Sequence, residues 1–428
     1  MMNRHSPSTT GESLTEVAAD LRDAALAFFP GATSLQPVPS SDDLARVEDG
    51  SGTWCVRRWP AGIPAARVRF VHAVLLEARR AGLRVVPGVA ETSTGERRDV
   101  IAAGGRLYDA QGWLPGRPLG RTVVETALSG TRVNLPGTLP PVPLQDLIET
   151  VARFHVASEP LALRVDAPRA PLSAVAAAVW RSWSGHRERL RAAASRNPPV
   201  QRWIRVGERA LPAAAAALEA APDQWTGMPV VGHHDLWPAH VLFSRRDDDE
   251  RLTGLVDVSD LAAGSPLLDL AHLVAHFGGW SPDAAEAALG TYGAIRALTP
   301  EERRLLPAVV ALDLVAEAGW LLVVANERRG REDPPVSSAL RTGAEALLAS
   351  LEAVTPVVLR GEDKSMPGVR KWVHRPRPEA GRPAATRGPG GRAGQRSGSS
   401  PGPAHPSRGR STPVAPSSPR RPRKPDPT

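Results

Sequence analysis

The sequence predicts an α+β chain in two parts, a small antiparallel sheet carrying one long helix and then a larger, mostly helical body. Three observations point there. Residues 40–117 hold short β-like runs and turn signals around a single helical period. Most of residues 118–360 are rich in Ala and repeat apolar positions at helical spacing, and residues 361–428 abruptly lose their apolar content. A chain of 428 residues that is 42% hydrophobic is long enough to bury a substantial core.

Taken in order, SLTEVAADLRDAALAFF (residues 13–29) places apolar residues three and four apart, which predicts an amphipathic helix capped by Ser13. The runs LARVEDGSGTWCVRRWP and VIAAGGRLYDAQGWLPG are short and broken at Asp49 and Gly50, at Gly52, and at Gly104 and Gly105, as antiparallel strands joined by tight turns are. Between them ARVRFVHAVLLEARRAG (residues 66–82) has a helical period and a closing glycine. Beyond residue 117, PLQDLIETVARFHVAS, SAVAAAVWRSWSGHRERLRAAAS and ALPAAAAALEAA read as helices, interrupted by two short strands around HVLF and TGLVDV. Thr299, Pro300 and Glu302 form a helix start with cap, first-turn proline and acidic third position; Ser281, Pro282 and Asp283 form a similar one. The segment LLPAVVALDLVAEAGWLLVVA (residues 305–325) has the length of a membrane span, but Pro307, Asp313 and Glu317 are each costly in lipid, so a buried helix is predicted and no membrane partner.

The formal net charge of +8 is unevenly spread: residues 361–428 carry about +11, which leaves about −3 for residues 1–360. Nucleic acid is therefore not an expected partner of the body, and any such contact is a weak one made by the tail. That Pro/Gly/Ser/Arg-rich tail cannot offset its ordering entropy and is expected to be disordered. Cys55 is the only cysteine, so there is no disulfide framework and no thiolate metal site, and the N-terminal stretch lacks the apolar core of a signal peptide; both fit a cytoplasmic protein. All three lysines, Lys364, Lys371 and Lys424, lie in the tail.

The chemistry concentrates in GHHDLWPAHVLF, residues 232–243. One reading makes His233, His234, Asp235 and His240 a transition-metal cluster, as in a His/Asp metal-dependent phosphohydrolase. Pro238 and the β-like HVLF instead make the segment a loop that feeds a strand. On that second reading Asp235 is a loop carboxylate able to orient a hydroxyl. His240 and Asp257 then flank a hairpin as ligands for an ion. Phosphoryl transfer needs such an arrangement, because its catalysis is mainly positioning and charge neutralisation.

HHDLWPAHVLF followed by TGLVDVSDLAAGSPLLDLAHLV resembles the signature of the aminoglycoside phosphotransferase family, roughly H-G-D-x-x-P-x-N-V-L, then G-V/I-I-D-W/F-x-D/E, then G-D-P-x-x-D-L-A. Upstream, WCVRRWP resembles the family's Y-V-L-R-R segment, GWLPG its W-L-P-G hinge and VARFHVAS its L-A-x-x-H-A helix, so the likeness covers most of residues 50–280 in the right order. The resemblance implies a two-lobed protein-kinase-like fold, with an N-lobe at residues 1–117, a helical C-lobe at 118–360 and the tail at 361–428. It implies ATP and Mg²⁺ or Mn²⁺ as cofactors and a small-molecule hydroxyl as phosphate acceptor. It makes Asp235 the catalytic residue, Asp257 the main metal ligand with His240 beside it, and Arg57 the phosphate grip in place of a strand lysine. Gln111, Gly112 and Trp113, with Leu114, contact the adenine through their backbone. His233 holds the loop, Asp269 anchors the helix after it, and Asp260 faces substrate or helps the metal. Trp237, with Trp280 and Trp320, lines an acceptor pocket, while His155 is a hydrogen-bonded core histidine.

Three positions depart from the family pattern: His240 stands where Asn is usual, QPVPSSDDLARV has no phosphate-covering glycines and carries Asp42 and Asp43, and His72 occupies the place of the helix glutamate. They keep open the alternative of a weak or inactive nucleotide- or ligand-binding protein.

Overall fold

The computed structural model describes residues 18–38, 41–90, 99–118, 122–124, 132–134, 141–219, 228–246, 249–327 and 334–361. The chain opens with helix α1 (Ala19–Phe28), whose Leu21, Ala24, Ala25 and Phe28 recur at helical spacing and are buried. The described helix starts six residues later than predicted; its cap position, Ala18, makes no side-chain bond, and Ser13 lies outside the described residues. Strands β1 (Ser34–Val38), β2 (Ser41–Asp49) and β3 (Gly52–Arg58) follow as antiparallel neighbours. Asp49 closes the β2–β3 turn by accepting the N–H groups of Ser51 and Gly52. Helix α2 (Ala65–Arg80) packs Val68, Val71, Val74, Leu75 and Ala78 inward and ends at Gly82, whose φ of 90° a residue with a side chain rarely adopts. Strands β4 (Ile101–Ala103) and β5 (Arg106–Gly112) complete a five-stranded antiparallel sheet in the order β1-β2-β3-β5-β4.

The remaining described elements are mostly helical. They run β6 (Arg117–Pro118), β7 (Thr122–Val124), β8 (Arg132–Asn134), α3 (Pro141–Ala162), β9 (Arg169–Ala170), α4 (Leu172–Ala194) and α5 (Pro198–Glu219). Then come β10 (Val230–Gly232), β11 (Val241–Arg246), β12 (Asp249–Leu255), β13 (Ala262–Gly264), α6 (Leu267–Leu273), α7 (Pro282–Gly293), α8 (Pro300–Glu327) and α9 (Pro334–Gly361). The HVLF and TGLVDV runs form the β11–β12 hairpin, to which β6 adds a third strand. The link from β5 to β6 passes so close to the hairpin that a Cβ on Gly116 would lie 2.3 Å from Thr253 Oγ1, and only glycine fits.

Helix α8 is the centre of the helical part. Thr299 and Glu302 cap it reciprocally, with Glu302 N–H donating to Thr299 Oγ1 at 3.1 Å and Thr299 N–H to Glu302 Oε2 at 2.7 Å. The helix is long and apolar enough to cross a membrane, but 78% of its apolar window is buried inside the protein, so the reading as a core helix stands. Helix α9 passes the same length and composition test with 50% of its window buried. Truncating one of the buried leucines of α8 to Ala costs about 2–5 kcal/mol, as for core leucines generally. A second apolar cluster joins α2 to the site loops: Val68, Val71 and Leu75 pack with Val231, Val258 and Leu261. The predicted disordered tail, apart from residue 361, lies outside the described residues.

Candidate functional site

Strand β10 ends in Gly232, after which the backbone turns through His234 at φ 62°. A non-glycine residue in that left-handed region costs roughly 1–2 kcal/mol. Asp269, in the first turn of α6, offsets it by accepting the N–H of His233 at 2.7 Å and that of His234 at 2.8 Å. The same carboxylate accepts Nε2–H of His155 at 2.9 Å, and His155 Nδ1 accepts the Tyr292 hydroxyl at 2.8 Å. Burial by itself raises a carboxyl pKa; here the bond from His155, with the nearby His234 and His233, outweighs it and holds Asp269 well below the usual carboxylate range. A Cβ on Gly232 would sit 3.0 Å from the His234 ring and 3.2 Å from Asp269 Oδ2, so a side chain there would press on the two groups that hold the turn.

The rings of His233 and His234 do not turn toward Asp235. Nε2–H of His233 donates to the Val256 carbonyl at 2.9 Å and Nε2–H of His234 to the Ala262 carbonyl at 2.9 Å, tying the loop to the segments that follow β12. Burial pushes the His233 pKa down to about 4, so this ring is neutral at pH 7. The four-residue metal cluster read from the sequence is not assembled among the described residues, because the ligand atoms of His233 and His234 do not gather with those of Asp235 and His240. Among the described residues, the group around this loop whose ligand atoms lie within 4.8 Å of one another is Asp235, His240 and Asp257.

His240 sits at the end of a short 3-10 turn that starts with Pro238. Its Nδ1–H donates to the Asp235 carbonyl at 2.8 Å and lies 3.2 Å from Asp235 Oδ2, which leaves Nε2 facing Asp257 Oδ2 at 3.5 Å. Asp257 follows β12 with φ 58°, another left-handed non-glycine residue, and accepts the Ser259 hydroxyl at 3.3 Å. Arg57 Nη2 approaches Asp257 Oδ1 to 3.7 Å. Burial would raise the Asp257 pKa, but the Arg57 charge, with His240 nearby, reverses it and favours the ionised form. Asp235 goes the other way: burial raises its pKa, and repulsion from Asp257 and Asp260 adds to that.

These groups line a cleft of about 1360 Å³. Arg57, Gln111, Gly112, Trp113 and Leu114 line it on the sheet side, with Asp235, His240, Asp257 and Asp260 in the middle. Strand alternation separates the two arginines: Arg58 is held by Asp43 at 2.7 Å and Asp20 at 3.0 Å, so the acidic β1–β2 end meets a counter-charge. Arg57 stands opposite Asp109 across the β3–β5 ladder. Asp109 is fully buried and accepts from Trp59 Nε1, His72 Nε2 and Gln111 Nε2 at 3.0, 2.9 and 2.9 Å. Helix α2 thus contributes an imidazole to a carboxylate on β5, and that carboxylate, not one on the helix, lies across the ladder from Arg57. Burial alone would lower the His72 pKa, but Asp109 and Asp99 raise it, so the two carboxylates favour the protonated ring between them.

Two backbone donors of the expected adenine segment are used within the fold, and one expected wall residue lies elsewhere. The amides of Gly112 and Trp113 are engaged within the fold, Gly112 N–H with Gly88 O at 2.8 Å and Trp113 N–H with Thr53 O at 2.9 Å. Neither N–H is left for a base, because the segment after β5 still pairs with its neighbours. Of the three tryptophans, Trp237 and Trp320 line the cleft, whereas Trp280 packs into the helical core with its backbone N–H donating to Ser350 Oγ at 3.2 Å. Sequence reasoning missed Glu317, which lines the cleft and whose pKa burial, then Asp313 and Asp235, push up to about 8. It also missed Arg67, which grips the carbonyls of Ser259 and Leu261 beside Asp260.

A family model described as "Phosphotransferase enzyme family" matches residues 34–307, well over half of the chain. The chain belongs to this family. The match spans the phosphotransferase from the first strand of its sheet into α8, including the whole loop and hairpin just described. Among solved structures, the aminoglycoside phosphotransferase from Alicyclobacillus acidocaldarius is 18% identical, with a TM-score of 0.53 over 78% of this chain and 95% of that one. A microcompartment-associated aminopropanol kinase is 16% identical, with a TM-score of 0.51 over 79% of this chain and 98% of that one. At such identities the likeness shows the two-lobed kinase-like fold. No curated protein matches the chain by sequence.

Proposed function

We propose that this phosphotransferase moves the γ-phosphate of ATP to a hydroxyl group of a small molecule, with Asp235 orienting the hydroxyl and accepting its proton. One observation carries the reading: the loop and hairpin bring a carboxylate with a raised pKa, Asp235, beside an ionised one, Asp257, in a single cleft with Arg57. A proton acceptor works best with a pKa raised toward the working pH, whereas a cation ligand works best ionised. Arg57 supplies the positive charge for phosphate oxygens that a lysine supplies elsewhere, and its guanidinium remains charged and can bind two oxygens at once. Asp257 and His240 fit a divalent ion, offering one carboxylate and one imidazole nitrogen in reach of each other. Bound there, Mg²⁺ or Mn²⁺ neutralises phosphate charge, and the imidazole favours Mn²⁺ relative to an all-oxygen site. Trp237, Trp320 and Glu317 also line the cleft, offering a hydroxylated acceptor two aromatic side chains and a carboxyl group.

The test is ADP release by the purified protein across a panel of hydroxylated compounds (aminoglycosides, amino alcohols, sugars), with Asp235→Asn as control. Acceptor-dependent release that the variant lacks supports the reading. Bound ATP with no release from any acceptor favours a nucleotide-binding protein that has lost catalysis. In a titration, Arg57→Ala is expected to weaken ATP binding several-fold, since Arg57 is the cation beside Asp257 in the cleft; unchanged affinity removes Arg57 from the nucleotide site.

A further inference from the structure

Two pairs of polar residues sit at the same spacing on two packed, apolar helices. HLVAH puts His272 and His276 four apart along α6 and the wider π-turn (Val274–Gly278) that extends it, and DLVAE puts Asp313 and Glu317 four apart along α8. The fold turns the first three toward each other: His272 Nε2 lies 3.6 Å from Asp313 Oδ1 and His276 Nε2 lies 2.7 Å from Asp313 Oδ2. We propose that His272, His276 and Asp313 form a binding site for a divalent transition-metal ion of the zinc class, separate from the Asp235, His240 and Asp257 group.

Geometry is the first support. Each of the three residues offers a ligand atom within 4.8 Å of the others. Two ligands about 2.1 Å from one ion and roughly tetrahedral lie about 3.4 Å apart. The distance from His272 to Asp313, 3.6 Å, is within about 0.2 Å of that value, and the His276 contact, at 2.7 Å, needs to open by less than an ångström.

The second support is polar bookkeeping. His276 is fully buried, and neither of its ring nitrogens has a hydrogen-bond partner; nor has Asp313 Oδ2. The 2.7 Å approach of the two groups is thus close without being a directed hydrogen bond. Leaving buried polar atoms unsatisfied is costly, and such atoms in a native protein call for an unplaced ion or water. A cation between Nε2 and Oδ2 satisfies both at once. Two imidazoles and one carboxylate select a zinc-like ion over Mg²⁺ and leave a coordination position for water. The location gives such an ion a consequence. The Trp237 ring lies against the His276 ring with centroids 4.2 Å apart, and Glu317, one turn beyond Asp313, lines the cleft. The ion would hold the far wall of the cleft from behind, and π-turns of this kind recur at functional sites.

The experiment uses the full chain purified without a histidine tag, dialysed against Co²⁺ or Zn²⁺ and read by metal content and visible Co²⁺ absorption. Wild type, Asp313→Asn, His272→Gln and, as control, His240→Asn are compared, with circular dichroism reporting the fold. Other histidines of the chain are common to all four proteins and cancel in the differences. Wild type is expected to hold about one more ion per chain than Asp313→Asn and His272→Gln and to show the strong visible bands of four-coordinate Co²⁺, bands that His240→Asn keeps whatever it loses at the Asp235, His240 and Asp257 group. Should Asp313→Asn fail to fold, His272→Gln, at a partly exposed position, carries the comparison. Equal metal content and spectra in wild type and His272→Gln overturn the proposal, as does loss confined to His240→Asn. The readout is binding alone, so an absence of phosphotransfer leaves it unaffected.

Discussion

Asp269 and Asp235 are both aspartates within reach of histidines and within one short stretch of fold, yet they are in opposite electrostatic states. Asp269 is fully buried and accepts two backbone N–H groups and an imidazole N–H, which holds its pKa far down. Asp235 faces the cleft, has His240 as its close neighbour and is pushed up by burial and by Asp257 and Asp260. The difference teaches that burial does not decide the role of a carboxylate; the count of donors aimed at it does. A saturated carboxylate is scaffold, and an under-supplied one can take up a proton from a ligand.

Substitution at the two positions should therefore separate activity from stability. Asp235→Asn has the largest expected effect, a loss of about 10² to 10⁴ in turnover, with ATP affinity and melting temperature nearly unchanged. Full activity in that variant would break the contrast at its catalytic end. Asp269→Asn should act on the other axis, destabilising the fold by about 3–5 kcal/mol in a urea titration, because the histidine and the strained turn lose their common anion. A cost below about 1 kcal/mol would show that the donors find other partners.

The acid limb of stability sharpens the same comparison. The Asp269 pKa is lower in the folded chain than the value of about 3.9 it has when unfolded, so its contribution is present above that value and is lost as pH falls below it. The gap in melting temperature between wild type and Asp269→Asn should then narrow as pH is taken from about 6 to about 3. A gap that stays constant over that range means the carboxylate is not the source of the stability.

The smallest effect is expected at His240, which bridges the reactive side of the pair. Replacing it with Asn exchanges an imidazole nitrogen beside Asp257 for an amide oxygen. Activity should shift from Mn²⁺ toward Mg²⁺ by several-fold with little change in stability. An unchanged metal preference confines His240 to the hydrogen bond with the Asp235 carbonyl.

Much of this was legible in the residues alone. The β2–β3 and β4–β5 hairpins follow from turn glycines and alternating runs, and α8 follows from Thr299, Pro300 and Glu302. The loop from His233 to His240 was readable as the family's signature segment because its residue types and spacing resemble it. Its internal division of labour was not. Nothing in HHD says that the two imidazoles turn to the carbonyls of Val256 and Ala262, since both acceptors lie more than twenty residues away. The pairing of the Gly112 and Trp113 amides with Gly88 and Thr53 is equally illegible in the sequence, because it depends on how the neighbouring segments close.

The sequence by itself determined the order of elements, the small sheet before a helical body, the absence of lysine before residue 361, and the loop that carries Asp235. These depend on local propensity, on period and on composition, which act between residues a few positions apart. The tertiary structure alone decided which charges meet: Arg57 with Asp257, His72 with Asp109, His155 with Asp269, and His276 with Asp313. Each of those partners is separated by 37 or more residues, and only the packing of one element on another sets the few ångströms over which a carboxylate, an imidazole and a guanidinium act on each other.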